Sequence, residues 1–238
     1  MLYESTGTAP ARIYLQPVAA PSILGLYGFA GATFMVAAHM AGWYGGANTI
    51  LYLIPFVVMF GGLAQFLAGM WAFRARDGLA TAMHGMWGAF WIAFGFLGLM
   101  FRDTAGGFPA GLFPALGFWF IVLAAVTWVG AWGALAENVS LFLVLAFLAL
   151  GSTLEAIFRL AGGGGIHIVA GYCLIISALV AFYTASALML AECYGHAVLG
   201  VGKIHKLAQE PAISAGCGEP GVVRGQSLNL EPHEAMSR

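Results

Sequence analysis

The stretch FGGLAQFLAGMWAFRA, residues 60–75, is almost wholly apolar, yet it carries an amide side chain, Gln65, near its middle. In a helix, spacings of three, four and seven residues place Gln65 on a face of small residues, namely Gly61, Ala68, Gly69 and Ala72. Such a face lets another helix approach closely, and the amide can then hydrogen-bond that neighbour. The alternative interpretation is that the small residues leave room for a solute, to which Gln65 offers its amide.

The same apolar character extends over most of the chain. Of its 238 residues, 61% are hydrophobic and only 8% are charged, whereas a soluble domain usually carries about 25% charged residues. This composition predicts an integral membrane protein. The net charge of −1 gives no electrostatic reason to expect a nucleic acid as a partner.

Polar or glycine-rich breaks divide the chain into apolar segments, near residues 22–43, 47–73, 78–101, 109–134, 138–160 and 166–192. Each segment exceeds the roughly 20 residues that a helix needs to cross about 30 Å of hydrocarbon. Backbone groups in lipid must be satisfied internally, so we predict an all-α polytopic protein with six transmembrane helices. Residues 21–202 form the membrane domain in this interpretation. Residues 1–20 and the polar, Pro/Gly-rich residues 203–238 form cytoplasmic tails, the second of them disordered.

The basic residues predict how the chain lies in the membrane. An even number of spans puts both termini on one side, where seven basic residues collect: Arg12, Arg74, Arg76, Lys203, Lys206, Arg224 and Arg238. The other side has two, Arg102 and Arg159. This bias predicts that both termini face the cytoplasm and that the protein lies in the cytoplasmic membrane.

Ionisable side chains inside the apolar segments are candidates for a proton or ion-pair site. His39, near the end of the first segment, is either a hydrogen-bonded structural histidine or a proton relay. His84 shares a helix face with Trp87, an aromatic pattern that is also typical of core packing. Glu155 can pair with Arg159 one helical turn later. That pair is either an interfacial ion pair or part of a functional site.

The residues that enzymes and metal sites require are missing from the sequence. The apolar segments contain no HxxxH, HExxH or paired carboxylates, and the chain has no phosphate-binding glycine loop. The cysteines form no CxxC and no spacing typical of a metal site; they are Cys173, Cys193 and Cys217. We therefore expect no enzymatic activity, no metal and no cofactor.

Several motifs resemble those of a known family. APSILGL at residues 20–26 precedes the first helix, the FGGxxQxxxG pattern is complete at residues 60–69, and WGAFW occupies residues 87–91. Together they resemble the acetate uptake transporter family, also called the YaaH family, of acetate and succinate permeases. Three positions depart from the family pattern: Ala20, Ala72 and Trp87. Tyrosine is usual at position 87, and the larger tryptophan predicts a narrower pore that favours small acids.

The resemblance covers about residues 20–202 and implies a six-helix protomer with its own pore, assembled as a hexamer. It implies a hydrophobic constriction formed by Phe29, Trp87 and Leu148. We further expect the substrate path to include residues from four of the helices: Pro21, Leu24, Gly25, Leu26, Thr33, Gln65, Thr127 and Tyr183.

The function that we predict is passive or proton-coupled uptake of acetate and similar small monocarboxylates. The partners would be a small carboxylic acid, a proton, the lipid bilayer and further copies of the chain. Two alternatives remain open at this point. One is a channel for another small solute such as ammonia, and the other is a membrane scaffold or sensor without transport.

Overall fold

The computed structural model describes residues 18–46, 48–104 and 108–202, and this part of the chain is all-helical. It contains six helices that are long and apolar enough to cross a membrane: α1 (Pro21–Met40), α2 (Thr49–Ala75), α3 (Gly78–Met100), α4 (Leu112–Ala134), α5 (Val139–Ala161) and α6 (Gly164–Tyr194). Their ends differ from the predicted segments by at most three residues, so the predicted six-helix fold is confirmed. The predicted C-terminal tail, residues 203–238, and most of the N-terminal tail, residues 1–17, lie outside the described residues.

Local sequence signals explain where several helices begin. Pro21 starts α1, where the missing N–H of proline costs nothing. The side chains of Asp77 and Asn138 accept backbone N–H bonds in the first turns of α3 and α5, each at 2.8 Å. Between α5 and α6, Gly162 and Gly163 have φ values of 81° and 98°, a conformation that side chains disfavour. The chain therefore reverses there within two residues.

The middle of α2, Val57–Ala64, is wound as a π-helix rather than an α-helix, a feature that is frequent at functional sites. A Cβ on Gly61 would lie 2.7 Å from the indole ring of Trp91 on α3. About two turns further along α2, a Cβ on Gly69 would lie 2.6 Å from the backbone nitrogen of Gly85. The small residues around Gln65 therefore let α2 and α3 pack closely, as the helix-packing interpretation predicts.

Helices α1, α3 and α5 surround the centre of the six-helix bundle. The most extensive contacts join α2 to α3 and α4 to α5, and α1 packs against both α6 and α2 while α5 packs against α6. The buried core takes large side chains from the central helices, among them Phe29, Trp87 and Leu148. These three central helices supply most of the cavity walls described below.

Both ends of the membrane domain lie on one face of the bundle. The backbone N–H of Ala20 donates to Glu192 Oε1 at 2.8 Å, which joins the start of α1 to the end of α6. The backbone N–H groups of Val139 and Ser140 also donate to carbonyls of residues 202 and 201. We call this face the proximal face and the opposite one the distal face.

The outward faces of the helices expose large apolar side chains. Val129 and Trp132 on α4 are each 73% exposed, and Met100 is 72% exposed. Exposure of this kind is expected where lipid replaces water around the helices. Together with the six spans, it makes the chain an integral membrane protein.

Candidate functional site

Two cavities lie within the bundle and meet at its centre. The distal cavity has a volume of about 250 Å³, and the proximal cavity has a volume of about 30 Å³. Trp87 and Leu148 line both cavities, and Phe29 lines the proximal one. All three side chains are at most 3% exposed. The structure therefore brings together the three residues that the sequence assigned to a constriction, and two of them separate the cavities.

The indole of Trp87 is hydrogen-bonded to a side chain of α4. Its Nε1–H donates to Thr127 Oγ1 at 3.0 Å, and the Thr127 hydroxyl donates in turn to the carbonyl of Leu123 at 2.6 Å. Thr127 is fully buried and lines neither cavity. The sequence assigned Thr127 to the substrate path, whereas its observed contact is with Trp87. On the other side, Trp87 packs edge-to-face against Phe90, with the ring centroids 5.3 Å apart.

Polar atoms without a protein partner lie on each side of the constriction. Among the described residues, Thr33 Oγ1 and Trp91 Nε1 have no hydrogen-bond partner, and both side chains line the distal cavity. Gln65 Oε1 and His84 Nδ1 are also without a partner, and both side chains line the proximal cavity. A buried polar group left unpaired costs about 1–3 kcal/mol. These four atoms are therefore suited to bind water or a polar solute.

The first family motif packs against His84 and also contributes Leu26 to the wall of the proximal cavity. A Cβ on Gly25 would lie 2.5 Å from the His84 ring, so the ring packs directly on the backbone of α1. Of the path residues predicted from this motif, Leu26 lines the proximal cavity. Pro21 begins the helix, and Leu24 is 49% exposed on the outer surface. The two positions that flank Gly25 therefore have different environments.

Tyr183 on α6 also lies away from both cavities, although the sequence assigned it to the path. It is 40% exposed, and its hydroxyl donates to the carbonyl of Gly200 at 2.7 Å. The small residues Ala181 and Ala185 occupy the buried face of this part of α6. Helical periodicity then turns Tyr183 outwards.

The distal cavity contains a buried ion-pair cluster. Arg159 Nη2 lies 2.6 Å from Glu155 Oε1, which confirms the predicted pair. His167 Nδ1 lies 2.8 Å from the other carboxylate oxygen of Glu155. The sequence analysis missed His167, because it reaches Glu155 across the glycine turn between α5 and α6. His39, another lining residue, contacts the carbonyl of Tyr44 through Nδ1 at 3.1 Å, as a structural histidine would.

The proximal cavity has carboxylates at its mouth. Asp77 and Glu137 line it, one at the start of α3 and the other between α4 and α5. The residue Glu137 is exposed to solvent. Its carboxyl group is nevertheless partly desolvated, and this desolvation, followed by the negative charge of Asp77, raises its pKa from 4.5 to about 7. The sequence analysis missed this pair, because the two residues belong to different connections between helices.

The fold defines an integral membrane protein whose helix bundle contains two cavities, both lined by Trp87 and Leu148. The chain belongs to the GPR1/FUN34/yaaH family, whose sequence profile matches residues 5–203.

Two relatives and one solved structure illustrate this membership. The succinate-acetate/proton symporter SatP of Escherichia coli is 28% identical over 188 residues, which cover 79% of this chain and 97% of SatP. Ammonia transport outward protein 2 of Saccharomyces cerevisiae is 29% identical, and the match covers 76% of this chain and 64% of the yeast protein. The structure of the bacterial acetate channel SatP matches with a TM-score of 0.71 at 26% identity, covering 78% of this chain and all of that one. These proteins are transporters or channels, and the present chain is likewise not an enzyme.

Proposed function

We propose that the protein carries acetate and similar small monocarboxylates across the cytoplasmic membrane through the two cavities and the constriction between them. The main support is that Trp87 and Leu148 line both cavities. Because the polar atoms without a partner lie on either side of these residues, a solute would find hydrogen bonds before and after an apolar barrier. The likeness to an acetate channel and to a succinate-acetate/proton symporter supports this class of substrate.

The size and chemistry of the constriction favour small acids. Trp87 is fixed by Thr127, and Phe29 and Leu148 add two further apolar side chains. Aromatic rings such as Phe90 and Phe94 line the distal cavity and suit the short alkyl part of an acid. Because Thr33 and Gln65 offer neutral hydrogen bonds only, binding next to the constriction is weak, in the millimolar range.

The substrate crosses together with a proton. A small carboxylic acid has a pKa near that of Glu, about 4.3, so at pH 7 only a few per thousand molecules are neutral. A carboxylate in a dry apolar constriction costs several kcal/mol at least. Among the described residues that line the proximal cavity there is no lysine or arginine to compensate this charge. Net transport of the acid with its proton avoids that cost.

The proposal includes an orientation and an assembly. The proximal face carries Arg74 and Arg76 next to a membrane span, so this face lies in the cytoplasm. Each protomer contains its own path, and the protein assembles as a symmetric hexamer. The exposed apolar faces of the outer helices supply the surfaces for contacts between protomers.

Ammonia is the second candidate substrate. Asp77 and Glu137 at the proximal mouth would attract ammonium, and one relative carries the name of an ammonia transporter. The cations Arg102 and Arg159 at the distal cavity favour an anion instead, and for that reason we place the carboxylic acid first.

Reconstitution of the purified protein tests the proposal. Liposomes with an alkaline interior are given labelled acetate, liposomes with an acidic interior are given labelled methylammonium, and initial uptake is measured above that of protein-free liposomes. Saturable acetate uptake supports the proposal. Methylammonium uptake without acetate uptake supports the second candidate. Absence of both, with protein that remains monodisperse, contradicts a transport function and leaves a scaffold or sensor.

A further inference from the structure

The guanidinium of Arg159 lines the distal cavity and has N–H donors that are not hydrogen-bonded to any described residue. Its Nε and Nη2 both contact the same oxygen, Glu155 Oε1, at 2.7 and 2.6 Å. An arginine has five N–H donors, so this arrangement leaves the Nη1 group and one Nη2–H without a partner among the described residues. The side chain is only 13% exposed. Because Arg159 lines the distal cavity, the remaining edge is a directional site for an anion that enters this cavity.

The surrounding side chains fix the plane of this guanidinium. Its central carbon lies 4.9 Å from the ring centre of Phe113 and 5.5 Å from that of Phe158. Glu155, with a 2% exposed side chain, is itself held by His167 on α6. An arginine held by stacking and by a buried carboxylate loses little freedom on binding, and its fork matches a carboxylate.

The charges that line the distal cavity also favour an anion. The cavity is lined by two arginines, Arg102 and Arg159, and by one carboxylate, Glu155. Arg102 is 65% exposed and contacts Asp103, so solvent screens it. Arg159 is the buried cation of this set.

We propose that Arg159 is a docking site for the substrate carboxylate in the distal cavity and that Glu155 is its positioning residue. The proposal rests on the proposed function and adds to it an order of events. Eleven residues of α5 separate Leu148 from Arg159, which is about 16 Å along the helix. The anion therefore binds Arg159 first, then leaves it and takes up a proton from the solvent on the distal side before it meets the constriction.

Glu155 also keeps the docking weak enough for release. Transport requires binding that is favourable on arrival but does not trap the substrate. A carboxylate opposite Arg159 cancels most of its charge, so the bound acid can move on. Loss of Arg159 and loss of Glu155 should therefore change the affinity in opposite directions, whereas a purely structural pair would show the same direction for both.

The test measures initial acetate uptake against acetate concentration at a fixed pH gradient, in liposomes of oriented protein with the distal face outside. Arg159→Gln should raise the half-saturating concentration roughly tenfold, with less than about a twofold change in maximal rate. Glu155→Gln should lower it and slow the maximal rate. Arg74→Gln, which removes an exposed charge from the proximal end of α2, is the matched control and should leave both values unchanged.

A binding measurement makes the result independent of transport. Line broadening of ¹³C-acetate by the detergent-solubilised protein should weaken for Arg159→Gln and not for Arg74→Gln. If wild-type protein broadens the acetate signal but transports none, the docking site stands and the proposed function fails. If wild-type protein transports acetate but Arg159→Gln changes neither half-saturation nor broadening, the docking site is wrong and the function stands.

Two further variants test for diffuse attraction and replace Arg159→Gln if that protein is unstable. Equal effects of Arg102→Gln and Arg159→Gln would indicate diffuse attraction and contradict a docking site. If the Arg159→Gln protein does not remain monodisperse, Arg159→Lys is used to test the docking site, because it keeps the positive charge and loses the planar guanidinium. It should raise the half-saturating concentration about threefold, and an unchanged value would overturn the proposal.

Discussion

The indole nitrogen of Trp87 and the hydroxyl of Thr127 form a buried hydrogen bond of 3.0 Å that joins α3 to α4. The bond fixes the side chain that lines both cavities. Thr127 lines neither cavity, so it acts on the path only through Trp87. If Trp87 forms part of a constriction, as we propose, Thr127 helps to set its width without contacting the solute.

Removing the indole should widen selectivity. Trp87→Ala deletes a large side chain between the cavities, so lactate and succinate should be transported in larger proportion to acetate. Uptake of the three labelled acids in liposomes measures this ratio. Trp132→Ala, on the lipid-facing surface where Trp132 is 73% exposed, is the matched control. Identical ratios in both variants would mean that Trp87 does not set the selectivity.

Removing the hydroxyl should loosen the same indole without changing its size. Thr127→Val leaves a buried N–H without a partner, which costs about 1–3 kcal/mol, and should lower the thermal unfolding midpoint and raise lactate uptake. The control is Thr153→Val, because Thr153 accepts a similar bond, 3.2 Å long, from the exposed indole of Trp128. If both variants lose the same stability and neither changes uptake, the bond does not hold the constriction.

The contact between Gly25 and His84 should not tolerate a methyl group. A Cβ at position 25 would lie 2.5 Å from the imidazole, so Gly25→Ala must displace the ring, at a cost of about 1–3 kcal/mol. We expect a lower unfolding midpoint and reduced acetate uptake. On the same helix, a Cβ on Gly31 meets nothing within 4 Å, so Gly31→Ala should retain both properties. Equal behaviour of the two variants would show that the close contact has no consequence.

Protonation of Glu137 should make the stability of the protein depend on pH. Its pKa in the folded protein is raised to about 7 from 4.5, so the folded state binds this proton more tightly than the unfolded state. The stabilisation of the folded state by this proton is fully present below about pH 4.5 and is lost as the pH rises towards 7. The unfolding midpoint in detergent should therefore fall across this range, and Glu137→Gln should flatten the slope. Asp103→Asn, at a 91% exposed side chain, is the control, and a slope unchanged by Glu137→Gln would exclude this group as the cause.

Hydropathy was sufficient to predict the six spans, because each apolar segment must satisfy its backbone in lipid as one helix. The family resemblance implied a constriction at Phe29, Trp87 and Leu148, which stays a prediction; Trp87 and Leu148 line both cavities. Sequence pattern failed for positions that depend on which way a helix is turned. Leu24 and Tyr183 lie on the outer surface, since an all-apolar helix has no polar face to reveal its orientation.

Contacts between different helices were also beyond the sequence. His167 reaches Glu155 because glycines reverse the chain between α5 and α6. Asp77 and Glu137 share the proximal mouth although they belong to separate connections. These contacts arise from how helices pack, which hydropathy does not report. The π-helical segment Val57–Ala64 was not predicted either, although Pro55, just before it in α2, lacks the N–H that a regular helix needs.

Imposing the pH gradient and the membrane voltage separately decides whether the acid crosses the constriction together with a proton. Labelled acetate uptake is measured in liposomes of purified protein, with the flux of protein-free liposomes subtracted. Uptake should rise as the external pH falls, and it should drop when the pH gradient is collapsed at constant voltage. Uptake that follows the voltage and ignores the pH gradient would mean that the anion crosses alone, and the proposed proton coupling would be wrong.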